Sequence, residues 1–182
     1  MVTSRSAAAA RTRDRLIEAG LRLAERTGLA GLSVNLLVDE AGVSKGTFFH
    51  HFRDRASYLL ALHGGFHDRL LAEMLTAIEG MTPGAERLFA AAETYLEGCL
   101  RDRGVRALLL EARAEAPIAE VVRARNAQGA ELCAADFKAM GRPYPLDAAR
   151  LWVGMVAEAA LVELDEGGRR PATRAELKRF IG

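Results

Sequence analysis

The feature that most constrains the fold of this chain is the helical spacing of its apolar residues. Apolar side chains recur three or four positions apart along most of the sequence, and no stretch alternates between apolar and polar residues as a strand does. Glycine and proline residues separate the periodic stretches. The sequence therefore predicts an all-α protein of about nine helices. Their approximate bounds are residues 10–27, 34–41, 45–52, 55–79, 84–103, 105–114, 117–140, 145–166 and 173–180.

Composition excludes several other classes of protein. Lys and Arg number 25 against 24 Asp and Glu, so the chain is not a polycation. Two cysteines are too few for a disulfide scaffold or a four-cysteine zinc site. The longest strongly apolar run, residues 151–157, is far shorter than the roughly 18 residues of a membrane span. The first 13 residues lack the apolar centre of a secretion signal, so we expect a cytoplasmic protein.

Charge is divided unevenly along the chain. Residues 1–55 hold nine basic and six acidic side chains, whereas residues 56–182 hold 16 basic and 18 acidic ones. The first 13 residues contain Arg5, Arg11 and Arg13 and no acidic residue. We expect the N-terminal third to face a polyanion and the remainder to meet protein or small molecules.

Residues 33–52 have the pattern of a helix-turn-helix. Ser33 and Ser44 precede two short apolar-periodic stretches and are good helix N-caps. Gly42 stands between the stretches and can supply the positive φ that a tight turn between helices needs. The pattern predicts two short helices joined by a turn of three residues.

The second of these short helices has one anchored face and one outward face. Phe48 and Phe52 are four residues apart, so they lie on the same side and anchor the helix to the core. Such a helix can enter the major groove of DNA with its outward residues at the base edges. Those outward residues are Lys45, Gly46, Thr47 and His50.

Residues 41–52 read A-G-V-S-K-G-T-F-F-H-H-F. This stretch resembles a pattern of the tetracycline-repressor (TetR) family, A-G-V-S-x-G-T-[LIF]-Y-x-H-F. The resemblance covers about residues 10–60. It implies an N-terminal three-helix DNA-binding domain over 1–55 and a C-terminal helical ligand-binding and dimerisation domain over 56–182. The function implied is a ligand-responsive transcriptional regulator, a repressor in preference to an activator, that binds a pseudo-palindromic operator as a dimer.

The same resemblance implies which residues contact DNA. Lys45 and His50 would read bases, and the N-terminal arginines would reach phosphates or a minor groove. Phe49 stands where the family usually has Tyr, so the hydrogen bond from that hydroxyl to a phosphate is absent. The full set of expected DNA contacts is Ser33, Ser44, Lys45, Gly46, Thr47, Phe49, His50, His51 and Arg55.

The segment 151–162 has Glu158 as its only charged residue. A helix that is apolar all round is buried all round, so this segment is expected to pack partly on a second subunit. The family resemblance implies a homodimer through helices eight and nine. Two alternatives stay open, a central helix in a monomeric bundle and an interaction module that meets a different chain.

The expectation of a small-molecule effector site in the C-terminal helices rests mainly on the family resemblance. It would combine an apolar lining with a few polar groups that orient the ligand. The candidate lining residues are Phe66, Leu70, Met74, Phe89, Tyr95, Cys99, Leu109, Arg113, Trp152, Met155 and Glu158. Each of them is equally compatible with an ordinary core position.

The sequence has no nucleophile elbow, phosphate-binding loop, zinc-protease motif or dinucleotide fingerprint, so we expect no enzyme and no cofactor. His63 and His67 are the remaining alternative. They are four residues apart, a spacing that can place two imidazoles on one metal ion. A small helical-bundle metal protein or enzyme that uses this pair is therefore the rival interpretation.

Overall fold

The computed structural model describes residues 2–112 and 118–182, and in that part of the chain it contains nine helices and no strand. The predicted all-α class is confirmed. The helices are α1 (Val2–Gly31), α2 (Val34–Ala41), α3 (Lys45–His51), α4 (Arg55–Ala77), α5 (Ala85–Arg101), α6 (Arg103–Glu111), α7 (Ile118–Ala139), α8 (Pro145–Glu166) and α9 (Pro171–Ile181). None of these helices combines the length and the apolar character needed to cross a membrane.

The first helix begins earlier than the apolar spacing predicts. Helix α1 starts at Val2, eight residues before the expected start, because an alanine-rich stretch sustains a helix without an apolar stripe. Near its other end Gly28 has φ 61° and ψ −171°, which breaks the helical geometry three residues before Gly31. Only glycine adopts that backbone conformation without strain.

The chain forms two compact units. Unit one consists of the described residues of Met1–His67 and Gly104–Ala119, and unit two consists of Asp68–Arg103 and Glu120–Gly182. These units do not coincide with the sequence-based boundary at residue 55, because the first half of α4 and nearly all of α6 belong with the N-terminal helices.

Helices α1 and α4 approach each other closely at a buried point of unit one. The hydroxyl of Tyr58, a residue with no exposed surface, donates a hydrogen bond of 2.9 Å to the carbonyl oxygen of Leu16. A β-carbon at Gly20 would lie 1.9 Å from that hydroxyl, so only glycine allows this approach. Burial raises the pKa of Tyr58, which therefore stays a protonated donor at neutral pH.

Helix α1 also fixes the start of α6 within unit one. The carboxylate of Glu25 accepts hydrogen bonds of 3.2 Å from the backbone N–H groups of Gly104 and Val105. These amides belong to the first turn of a helix, where no intrahelical acceptor exists. A β-carbon at Gly104 would lie 2.6 Å from the α-carbon of Glu25, so glycine is needed at this crossing.

Unit two contains a buried ion pair between α8 and α9. The Arg174 guanidinium donates two hydrogen bonds of 2.7 Å to the Glu163 carboxylate, and both side chains are at least 97% buried. Glu97 of α5 pairs with the same guanidinium. Burial alone would raise the pKa of Glu163, but the hydrogen bonds from Arg174 and from the Arg170 backbone hold this pKa below its ordinary value.

Replacing Glu163 with glutamine tests this ion pair. We expect Glu163→Gln to lower the free energy of unfolding by about 3 kcal/mol, because the Arg174 guanidinium stays buried without its main charged partner. Urea unfolding followed by circular dichroism measures the loss. Glu176→Gln is the matched control, since Glu176 pairs with Arg179 at the surface and its replacement costs less than about 0.5 kcal/mol.

The lowered pKa of Glu163 also fixes how this contribution depends on pH. In the folded protein the pKa of Glu163 lies below 4.5, its ordinary value, so the carboxyl stays ionised at a lower pH than in the unfolded chain. The contribution of this ion pair to the free energy of unfolding is therefore complete above pH 4.5. It is lost as the pH falls below 4.5 through the folded-state pKa. The stability difference between wild type and Glu163→Gln should therefore shrink in acid, and a constant difference would contradict the assignment.

Candidate nucleic-acid interface

The turn between α2 and α3 has the geometry that the sequence predicts. Gly42 adopts φ 62° and ψ 44°, the left-handed conformation that ends α2. The N–H of Gly42 donates to Asp39 O at 3.2 Å, and that of Val43 donates to Val38 O at 2.9 Å. These bonds close the last turn of α2, and α3 begins after three intervening residues.

Both short helices carry the predicted serine caps. Ser33 Oγ accepts a hydrogen bond of 3.3 Å from the N–H of Leu36, which opens α2. Ser44 Oγ accepts one of 3.1 Å from the N–H of Thr47, which opens α3. The hydroxyls of Ser44 and Thr47 also lie 2.9 Å apart. Both serine side chains remain exposed apart from these local bonds.

Aromatic packing holds the inner face of α3. Phe48 has no exposed surface, and its ring centroid lies 5.5 Å from that of Phe52 and 5.4 Å from that of Tyr58. Phe52 and Tyr58 meet edge to face at 5.0 Å. The Arg13 guanidinium lies 5.3 Å from the centre of the Phe52 ring, within range of a cation–π interaction. Helix α3 is therefore attached by its phenylalanines, as predicted.

The other face of α3 is open to solvent. Lys45, Gly46, Phe49 and His50 are exposed, and Phe49 shows 53% of its surface. Thr47 and His51 are half-buried at the edges of this face, and Arg55 is half-buried at the start of α4. All of the candidate DNA contacts belong to unit one.

The two neighbouring histidines of α3 differ in environment. His51 is half-buried, and the pKa of its imidazole is lowered by burial first and then by the neighbouring His50 and Arg13. His51 is consequently neutral at pH 7 and can act as a hydrogen-bond donor without carrying a charge. Lys45 contributes a positive charge to the exposed face of α3.

The structure also shows contacts between α1 and α2 that sequence reasoning missed. The carboxylate of Glu40 pairs with Arg22 at 2.9 Å and with Arg26 at 2.6 Å, and these hydrogen bonds lower the pKa of Glu40. Arg15 donates from Nη2 to the carbonyl oxygens of Ala41 and Gly42. The signal available in the sequence was the spacing of the three arginines, which places them on one face of a helix.

The N-terminal arginines lie on α1. Arg11 and Arg13 are exposed, and the side chain of Arg5 lies outside the described residues. Because this part of the chain is helical, the arginines project from the surface of a helix and not from an extended N-terminal segment.

The candidate effector residues are divided between the two units. Phe66 and Leu109 belong to unit one, and the other described candidates belong to unit two. Their exposure varies widely. Phe66, Leu70, Cys99, Leu109 and Trp152 are buried, Met74, Phe89, Tyr95 and Met155 are half-buried, and Glu158 is exposed. Arg113 lies outside the described residues, and the assignment of the set to a ligand site stays a prediction.

The rings of His63 and His67 lie with their centroids 4.3 Å apart in α4. His63 is 3% exposed and His67 is half-buried. Across residues 2–112 and 118–182, no group of three or more His, Cys, Asp or Glu side chains is placed to hold a metal ion. The geometry therefore gives no support to the rival metal-protein interpretation.

The capped α2–turn–α3 arrangement defines the N-terminal helices as a helix-turn-helix domain. The sequence model described as "Bacterial regulatory proteins, tetR family" matches residues 16–62. The repressor NemR of Escherichia coli K12 is 33% identical over 73 residues, which cover 38% of this chain and 36% of NemR. The chain thus spans little more than a third of the length of this relative.

Solved structures extend the likeness over the rest of the chain. A transcriptional regulator from Rhodococcus sp. Rha1 has a TM-score of 0.77 and 28% identity, covering 93% of this chain and 94% of that one. RolR, solved with resorcinol, has a TM-score of 0.68 at 18% identity and covers 97% of this chain and 90% of its own, so it shows the fold alone. Residues 16–62 of this chain are thus similar to the tetR family of bacterial regulatory proteins, and the chain as a whole shares the fold of a transcriptional regulator from Rhodococcus.

Removing the cap of α3 tests how the outward face is held. We expect Ser44→Ala to lower the free energy of unfolding by about 1 kcal/mol, because the N–H of Thr47 loses its acceptor. Chemical denaturation measures this loss. Ser6→Ala, at an exposed site inside α1, is the control and should change stability by less than about 0.5 kcal/mol. Equal stability of the two variants would show that the Ser44 cap contributes nothing.

Proposed function

We propose that this protein is a ligand-responsive transcriptional repressor that binds a pseudo-palindromic DNA operator as a homodimer in the cytoplasm. The observation that carries the proposal is the outward face of α3, which is polar and exposed while its inner face is fixed by buried aromatic rings. A helix held in this way can enter a major groove without rearrangement of the core. The match of residues 16–62 to the tetR-family model supports the same conclusion.

In this proposal α3 reads bases and the residues around it hold phosphates. Lys45 and His50 occupy the exposed face that would meet base edges, and Lys45 can donate to the acceptors of guanine. Ser33, Thr47, His51 and Arg55 lie around that face and would bind phosphate oxygens. Phosphate contacts fix the register on the duplex, and base contacts supply the sequence preference.

The helical form of α1 narrows the role proposed for its arginines. The minor groove of B-DNA is about 6 Å wide, whereas a helix with side chains is about 10 Å across. Because Arg11 and Arg13 are carried on a helix, contacts to backbone phosphates fit them better than insertion into a minor groove. Arg13 also stacks on Phe52, the residue that follows the last turn of α3. The proposed phosphate contact of Arg13 would therefore lie close to the C-terminal end of α3.

Replacing Lys45 on α3 with alanine tests whether this helix supplies the sequence preference. We expect wild-type affinity for a duplex selected from a random pool to fall steeply with salt, because phosphate binding releases counterions. Lys45→Ala should reduce the preference for the selected duplex over a scrambled one by about tenfold, measured by fluorescence anisotropy. Lys138→Ala, which removes an exposed lysine from α7, is the matched control and should leave that preference unchanged.

Failure of the wild-type protein to bind any duplex at low ionic strength would contradict the proposed function. An equal loss of preference in Lys45→Ala and Lys138→Ala would contradict the role of α3 instead, because Lys138 belongs to unit two.

The proposed dimer uses the outer faces of α8 and α9. Trp152 and Val156 are buried in unit two, while Leu151 on the other side of α8 is 70% exposed. Phe180 on α9 is 61% exposed. An apolar patch formed by such side chains is the kind of surface that a second copy would cover. A twofold axis through these helices would pair two copies of α3 for two half-sites.

A charge at position 151 tests the dimer. We expect Leu151→Glu to weaken self-association at least about tenfold, because it places a carboxylate in an apolar interface. Sedimentation equilibrium measures the dissociation constant. Leu132→Glu on α7 is the matched control, since Leu132 is 46% exposed and outside the proposed interface. Dimers of equal strength in both variants would place the interface elsewhere.

The effector is proposed to be a small molecule that binds the C-terminal helices. RolR, which shares the fold, was solved with resorcinol, and a compact ligand is compatible with candidates such as Trp152 and Tyr95 here. Binding would shift the population toward a dimer whose reading helices no longer match the half-sites. Footprinting of the DNA beside its own gene, with and without candidate ligands, would identify both the operator and the effector class.

A further inference from the structure

Three arginines of α1 form one stripe that faces α2. Arg22 lies seven residues and Arg26 eleven residues after Arg15, close to two and three helical turns. Arg22 and Arg26 hold the carboxylate of Glu40 in the last turn of α2. Arg15 lies at the other end of the stripe, at the turn that leads into α3.

Arg15 binds the end of α2 itself. Its Nη2 group donates to the carbonyl oxygen of Ala41 at 2.5 Å and lies 3.4 Å from that of Gly42. The backbone bonds that close α2 use the carbonyls of Val38 and Asp39, so they do not involve these two oxygens. A guanidinium here satisfies carbonyls that have no partner further along the helix, and it complements the negative end of the helix dipole.

The position of this contact matters because the turn is short. Only Gly42, Val43 and Ser44 separate α2 from α3. A change of the backbone angles at Gly42 would therefore redirect the whole of α3. Arg15 joins the middle of α1 to the residue at which that redirection would occur.

We propose that Arg15 is a positioning residue for DNA recognition, which fixes the turn and thereby the direction in which α3 presents its outward face. This inference rests on the proposed function. Base recognition depends on side chains that meet base edges in fixed geometry, whereas phosphate binding tolerates displacement. Loss of Arg15 consequently reduces sequence preference more than overall DNA affinity.

A direct phosphate contact from the exposed Arg15 side chain is the competing role, and salt dependence separates the two. Loss of one phosphate contact lowers the slope of log affinity against log salt by about 0.9 and weakens all sequences alike. Loss of a positioning contact leaves the slope unchanged and reduces the ratio of selected to scrambled affinity.

The experiment compares Arg15→Gln with Arg11→Gln, which removes the same charge from an exposed site of the same helix. Each variant is titrated against the duplex selected by wild type and against a scrambled duplex, at several salt concentrations. We expect Arg15→Gln to reduce the affinity ratio by about tenfold and Arg11→Gln to leave it unchanged. Arg15→Lys should recover part of the ratio, because an ammonium can still donate to the carbonyl of Ala41.

Hydrogen exchange in the DNA-free protein gives a second, independent readout. The amides of Val43 and Thr47 should exchange several times faster in Arg15→Gln than in Arg11→Gln, with similar melting temperatures for the two variants. Equal exchange rates at these amides would overturn the inference, as would an unchanged affinity ratio or a uniform loss of affinity with a lower salt slope. If wild type selects no duplex, the proposed function fails and this inference fails with it.

Discussion

The contact on which unit one depends is the packing of Tyr58 against α1. Its ring lies over Gly20, where any side chain would collide with the hydroxyl, and that hydroxyl is bonded to the carbonyl of Leu16. The same ring touches Phe48 and Phe52, so the helix that carries the outward face is attached through one aromatic cluster. Aromatic pairs at these distances add specific geometry to the burial of apolar area.

Much of the α2–turn–α3 segment was predictable because its determinants are local. The bounds of α2 agree with the prediction and those of α3 agree to within one residue, since serine caps, a left-handed glycine and the spacing of two phenylalanines all act within a few residues. The start of α1 was predicted late because a stretch rich in alanine is helical by propensity and leaves no apolar periodicity.

Contacts between distant residues were not predictable in the same way. The pairing of Glu163 with Arg174 and the contact of Arg15 with Ala41 join elements that no local pattern relates. Each sequence position alone was compatible with an exposed charge, which is the usual state of arginine and glutamate. The structure thus combines local caps with a few long-range contacts, and the sequence reveals mainly the first of these.

The central claim is that the outward face of α3 meets DNA, and hydroxyl-radical footprinting of the protein tests it most directly. Phe49 and His50 are exposed and reactive toward the radical, and exposed Tyr144 of unit two is an internal reference. On addition of the selected duplex, the account predicts slower oxidation of Phe49 and His50 and an unchanged rate at Tyr144. Undiminished oxidation of Phe49 and His50 in the saturated complex would contradict it.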